Sequence, residues 1–163
     1  MGGTLHDAGT HVIEITEVRH ELLADLADRL CAADQAELEA HGWSSPLESL
    51  KASVDCQGSY HEAYMAWWEG KPQAVFGVVE MPDHPTIGVP WMLSTGPRGR
   101  VCREFLKVST QYVSAWSQRF ERMFNFVDAR HYKAHLWLLH LGFSPMKIHF
   151  FNGLPFIEFG IHQ

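Results

Sequence analysis

The stretch Ile87-Gly88-Val89-Pro90-Trp91-Met92-Leu93-Ser94-Thr95-Gly96-Pro97-Arg98-Gly99-Arg100-Val101-Cys102-Arg103 joins a β-forming run to the start of a helix. Ile87–Leu93 has the composition of a strand, but Pro90 removes a ladder donor from its middle. Proline inside a strand marks an edge, a bulge or a place where pairing stops. From Pro97 to about Phe120 the spacing is helical, with Val101, Phe105, Val108, Tyr112 and Ala115 or Trp116 on one side.

Upstream, His11–Val18 alternates as a half-buried strand, and Glu21–Ala40 carries leucines at three- and four-residue steps, with a break expected at Asp34. Ser45-Pro46-Leu47-Glu48 reads as an N-cap followed by proline at the first helical position, opening a short helix to about Val54. Ser59–Glu69 and Gln73–Met81 read as strands around a turn at Glu69-Gly70-Lys71-Pro72, and Met81–Pro85 as a loop. Downstream, Phe124–Val127 is a short strand and His131–Leu141 a helix stopped by Gly142. Ile148–Phe151 and Pro155–Ile161 form a hairpin about Asn152-Gly153. The order β-α-α-β-β-β-α-β-α-β-β predicts a mixed α/β sheet with helices on both faces.

The chain has 163 residues, 46% of them hydrophobic, enough for one domain with a core of its own. Met1–Thr10 is expected as a flexible N-terminus, neither signal peptide nor anchor, and 11–163 as a single domain. No apolar run reaches the roughly 20 residues of a bilayer span. A net charge of −6 argues against a general nucleic-acid binder. Cys31, Cys56 and Cys102 form no C-x-x-C pair and read as reduced thiols. His131 and His135 share a helix face, but no third ligand lies near them in sequence, so no metal site is expected.

The element order resembles that of the GNAT N-acetyltransferase family over essentially the whole chain. The resemblance implies that the fourth strand splays from the fifth, leaving a V-shaped cleft for acetyl-CoA. It also implies that the following helix opens with a Q/R-x-x-G-x-G/A loop holding the pyrophosphate. An anion at a helix N-terminus is favoured by unpaired N–H groups and the helix dipole. Arg98 fits the first position, while Val101 and Arg103 stand where the two glycines belong. Val101 is expected to put a β-branched side chain into the phosphate space, with Arg98, Arg100 and Arg103 offering compensating charge. As a solvated basic helix start, the same residues need no ligand. His131-Tyr132-Lys133-Ala134 through Leu141-Gly142-Phe143 resembles N-x-x-A-x-x-x-Y-x-x-x-G-F, with Leu138 in place of the tyrosine that protonates the departing thiolate in many relatives.

A narrower resemblance covers roughly residues 40–160. It rests on Gly42-Trp43-Ser44-Ser45-Pro46-Leu47-Glu48-Ser49-Leu50, Gly88-Val89-Pro90-Trp91-Met92-Leu93, Phe126-Val127-Asp128-Ala129-Arg130, Trp137-Leu138 and Gly153-Leu154-Pro155-Phe156. These phrases resemble GNAT-like proteins of tailed bacteriophages, a group similar to the internal virion protein A of T7-like podophages. The resemblance implies a catalytically degenerate protein of virion assembly, in multiple copies, contacting other phage virion proteins. It would then reside in the host cytoplasm during infection or in the virion. The alternatives are an active acetyl-CoA-dependent N-acetyltransferase modifying a host or virion protein, and a binder of one host protein.

For the active reading, the candidate bases are Glu80 and Asp128, at the ends of the third and fifth strands. The candidate acetyl-CoA contacts are Met92, Leu93 and Ser94 through backbone amides, the segment Arg98, Gly99, Arg100 and Val101, and His131 and Ala134 on the following helix. The rings Tyr60, Tyr64, Trp67, Trp68, Trp91, Trp116 and Trp137, with the apolar run His149–Phe156, are read either as core or as partner surface.

Overall fold

The computed structural model describes residues 12–56 and 60–162. The expected flexible segment Met1–Thr10, with His11, lies outside these residues, as does Ser59. The elements in chain order are β1 (Glu14–Glu17), a 3-10 turn (His20–Leu22), α1 (Leu23–Asp28), α2 (Ala32–Ala40), α3 (Pro46–Val54), β2 (His61–Trp68), β3 (Lys71–Met81), β4 (His84–Ser94), α4 (Gly99–Ser117), β5 (Arg122–Asp128), α5 (Tyr132–His140), β6 (Ser144–Phe151) and β7 (Leu154–His162).

The seven strands form one sheet in the order β1-β2-β3-β4-β5-β7-β6. All neighbours are antiparallel except β4 and β5, whose parallel pairing is limited to Ile87↔Arg122 and Gly88↔Met123. Beyond Gly88 the two strands part. Pro90 does not interrupt β4, which stays in register with β3 through Pro90↔Val78. The backbone parity explains why the proline is tolerated. Thr95 N–H donates to Gln73 O on the β3 side, while Ser94 N–H donates to Asp34. Strand alternation therefore turns the backbone positions of residues 90, 92 and 94 away from β3. The donor that Pro90 lacks would have pointed into the gap, where β5 offers no partner.

Strand alternation also divides the core in two. Val75 and Leu93 face α1–α3, packing with Leu23, Leu26, Leu30, Leu50 and Met65. Ala74, Phe76 and Val78 face the other way, against Phe105, Val113 and Trp116 of α4 and Trp137 and Leu138 of α5. Helices thus lie on both faces, as the element order predicts.

Three local expectations are corrected. The first helical stretch breaks at Arg29–Cys31 rather than at Asp34, giving α1 and α2 ahead of α3. Two ties hold the break: Arg29 donates to Asp25, Gln73 and Pro72 O, and Cys31 N–H donates to Ser94 O. Asp34 lies within the first turns of α2, buried. The Met81–Pro85 loop contracts to a tight turn with Asp83 at φ 63°, and β4 begins at His84. The last hairpin is longer than expected, with Asn152 and Gly153 both at positive φ, as an Asn-Gly turn requires.

Candidate functional site: the cleft between the splayed strands

A cleft of about 990 Å³ occupies the gap between β4 and β5 and continues beneath α4. Its walls come from α2 (Asp34, Glu37), β4 (Pro90–Met92, Ser94), the Thr95–Gly99 turn, the inner stripe of α4, β5 (Asn125–Val127) and α5. Near the vertex Asn125 Nδ2 donates to Pro90 O at 2.6 Å, and its Oδ1 accepts Phe126 N–H at 2.7 Å. Both ends of that amide are satisfied.

The open end is bridged by α2. Asp34 and Glu37 lie one turn apart on this helix and so share a face. Asp34 accepts Ser94 N–H at 2.8 Å through Oδ2 and contacts His131 Nε2 at 2.7 Å through Oδ1. Glu37 accepts Asp128 N–H at 3.1 Å. His131 also caps α5, its Nδ1 accepting Ala134 N–H. Burial, outweighing the Asp128 hydrogen bond, pushes the Glu37 carboxyl up to about 7. Burial pulls the His131 imidazole down, but the Asp34 hydrogen bond and the charges of Asp34, Glu37 and Asp128 leave it raised overall.

Of the residues singled out by sequence, Met92, Ser94, Arg98, Gly99, His131 and Ala134 come together on the cleft. Leu93 points to the α1–α3 core, with its amide on the β3 side. Arg100 is exposed at the start of α4 and does not line the cleft. The expectation that Val101 intrudes on the phosphate space is corrected: its side chain packs into the α4 core. Gly96 and Gly99, in the turn that leads into α4, both take positive φ, at 93° and 57°.

Glu80 sits off the cleft, paired with Arg119 at 3.3 Å. Asp128 is buried and lies beside the cleft, bound to Arg130 at 2.6 Å. The Arg130 hydrogen bonds hold its carboxyl below the usual range despite burial. Asp34 and Glu37 were missed as site residues. Their only sequence signal is the i and i+3 spacing of two acids on a short helix that also carries Glu39. Among the described residues no group of three His, Cys, Asp or Glu is placed to hold a metal ion. His135, which shares a helix face with His131, contacts Asp128 O at 2.9 Å. The three cysteines are unpaired; Cys31 and Cys102 line the cleft, and burial pushes the Cys31 thiol up.

No protein-family model matches the sequence, and no curated protein does. Solved structures do match in fold. The aminoglycoside acetyltransferase AAC(6')-Ib in complex with coenzyme A aligns with TM-score 0.67 at 14% identity, over 93% of this chain and 95% of that one. Spermidine N-acetyltransferase from Vibrio cholerae, in complex with CoA and spermine, aligns with TM-score 0.63 at 11% identity, over 93% and 96%. A GNAT-family acetyltransferase from Streptococcus pneumoniae gives TM-score 0.59 at 14% identity, over 93% and 99%. The chain has the GNAT acetyltransferase fold. These likenesses lend no support to the phage and virion expectation. Among the described residues no helix is long and apolar enough to cross a membrane.

Proposed function

We propose that the protein is a CoA-thioester-dependent N-acyltransferase. The observation that carries the reading is the parting of β4 and β5 beyond Gly88, with a glycine-bearing turn and a helix N-terminus at the open end of one continuous cleft. Acetyl-CoA fits the residues present. Val101 leaves the phosphate space clear, Arg98 lines it, and the first amides of α4 lie beside it. When bound, the thioester supplies an activated acyl group.

The protein's own groups then divide the work. On the cleft edge of β4, Pro90 has no N–H and that of Ser94 is held by Asp34, which leaves Met92 N–H as the donor to polarise a carbonyl. An amine arrives as an ammonium and must lose a proton before it attacks. Glu37, near neutral in affinity and lining the mouth, accepts that proton as the acceptor passes α2. The C–N bond forms as the C–S bond breaks; sulfur leaves as thiolate, since Leu138 offers no proton, and the second proton that the nitrogen sheds on becoming an amide passes to solvent at the mouth of the cleft. Asp128, neutralised by Arg130, and Glu80, off the cleft, are replaced in this role by Glu37.

Calorimetric titration with acetyl-CoA, with desulfo-CoA as control, tests the reading. Micromolar affinity is expected, weakened at least tenfold in Arg98→Ala. With an amine panel, thiol release should fall at least tenfold at pH 7 in Glu37→Gln. Absence of binding up to millimolar ligand overturns the proposal. A second reading, a non-catalytic virion-associated protein acting through contacts, is favoured by edge strand β6, where Met146, Ile148 and Phe150 are 51%, 60% and 70% exposed. It would follow from failure of that titration together with capture of a virion protein.

A further inference from the structure

We infer that the acyl group this cleft takes is an unbranched apolar chain of about six to ten carbons rather than acetyl. The inference rests on the acyltransferase reading and adds the substrate class to it. The cleft does not stop where an acetyl group would. It is lined at one end of α4 by Gly99 and Cys102 and at the other by Tyr112, Val113 and Trp116. At about 1.5 Å per residue, the helix between Gly99 and Trp116 spans about 26 Å. With phosphate at the N-terminus of α4, an extended pantetheine arm has roughly the reach of four to five residues of extended chain, about 15 Å. About 10 Å of groove then remains beyond the sulfur.

What lines that remainder is apolar: Phe76, Tyr112, Val113, Trp116, Leu138 and Phe143. Leu138 replaces the hydroxyl that the family resemblance implies beside the sulfur. The Trp116 indole N–H and the Asn125 amide nearby are already committed. Trp116 Nε1 donates to Glu62 Oε2 at 2.7 Å, which fixes the indole at the inner end, and Tyr64 OH donates to the same carboxylate. Asn125 is satisfied by Pro90 and Phe126. Of the side chains that line the remainder only the Tyr112 hydroxyl is polar and without a partner, and the unpartnered Trp91 Nε1 lies elsewhere on the cleft wall, so the chemistry suited to the space is chiefly hydrocarbon. Each added methylene buried should tighten binding by about three- to fourfold until the groove is full.

The test is a chain-length series of CoA, acetyl-, butyryl-, hexanoyl-, octanoyl- and dodecanoyl-CoA, titrated calorimetrically into the intact protein. Octanoyl-CoA should bind at least tenfold tighter than acetyl-CoA, with no further gain at dodecanoyl. Val113→Phe, which fills the inner end, should abolish that gain while changing acetyl-CoA affinity less than threefold. Where Val113→Phe does not fold, Tyr112→Trp, at a half-buried position of the same inner end, is read in the same way. If acetyl- and octanoyl-CoA bind equally, the chain-length inference is wrong and the acyltransferase reading stands. If CoA and every thioester fail to bind, both are wrong.

Discussion

Asp34 and Glu37 each hold the backbone amide of a different strand, Ser94 on β4 and Asp128 on β5, from a single face of α2. The helix is therefore a strut across the open end of the cleft. Removing one foot leaves a buried donor with nothing to bind.

Asp34→Ala strands both Ser94 N–H and His131 Nε2, so it should cost about 2–4 kcal/mol. Urea denaturation at pH 6 measures this. A loss under about 0.5 kcal/mol would show that the strut carries no load.

Glu37 has a folded-state value of about 7 against an ordinary 4.5. A value raised by folding contributes stability below the ordinary value, and that contribution is lost as pH climbs through about 7. The raised His131 value acts with the same sign. Glu37→Gln keeps an oxygen for Asp128 N–H but removes the charge. Its gain over wild type should be about 2 kcal/mol larger at pH 8.5 than at pH 5.5. Differential scanning calorimetry at the two pH values decides the matter. A gain of equal size at both would refute the titration argument.

Asp128 carries the opposite sign. Its carboxyl is held low by Arg130, so its contribution is present above about pH 4 and disappears as pH falls through the depressed value. Arg130→Ala removes the depression and should shift acid unfolding, followed by circular dichroism, to higher pH. An unchanged acid midpoint would mean that burial alone sets the behaviour of Asp128.

Gly88 is the last residue of β4 paired with β5, and a Cβ there would meet the buried ring of Phe120 at 2.7–3.0 Å. Gly88→Ala should therefore cost about 1–3 kcal/mol by overpacking. A thermal melt matching wild type would show that the vertex can give way.

Much of this fold was legible because periodicity is local. The α4 stripe, the Asn152-Gly153 turn and the Ser45 cap, whose hydroxyl accepts Glu48 N–H, all state their geometry within a few residues. Pro90 pointed to the splay, though by a different route than a broken strand: its missing donor faces a gap that needs none. The site was less legible because its contacts are remote in sequence. Asp34 meets His131 across 97 positions and Glu37 meets Asp128 across 91. Neither spacing leaves a local pattern. Val101 was misjudged for a similar reason, since only the helix's rotation about its axis decides whether that side chain meets phosphate or core.

The two-pair junction between β4 and β5 also bears on how the molecule comes apart. It divides the sheet, in chain order, into a β1–β4 block and a β5–β7–β6 block, each built from antiparallel neighbours. The strand pairings of each block lie within one continuous stretch of the chain, so the first can assemble on the ribosome before the second has been synthesised. Native-state hydrogen exchange should then resolve two cooperative units whose opening runs along the cleft. An occupant bridging the two walls would slow exchange in both together, joining the two units into one.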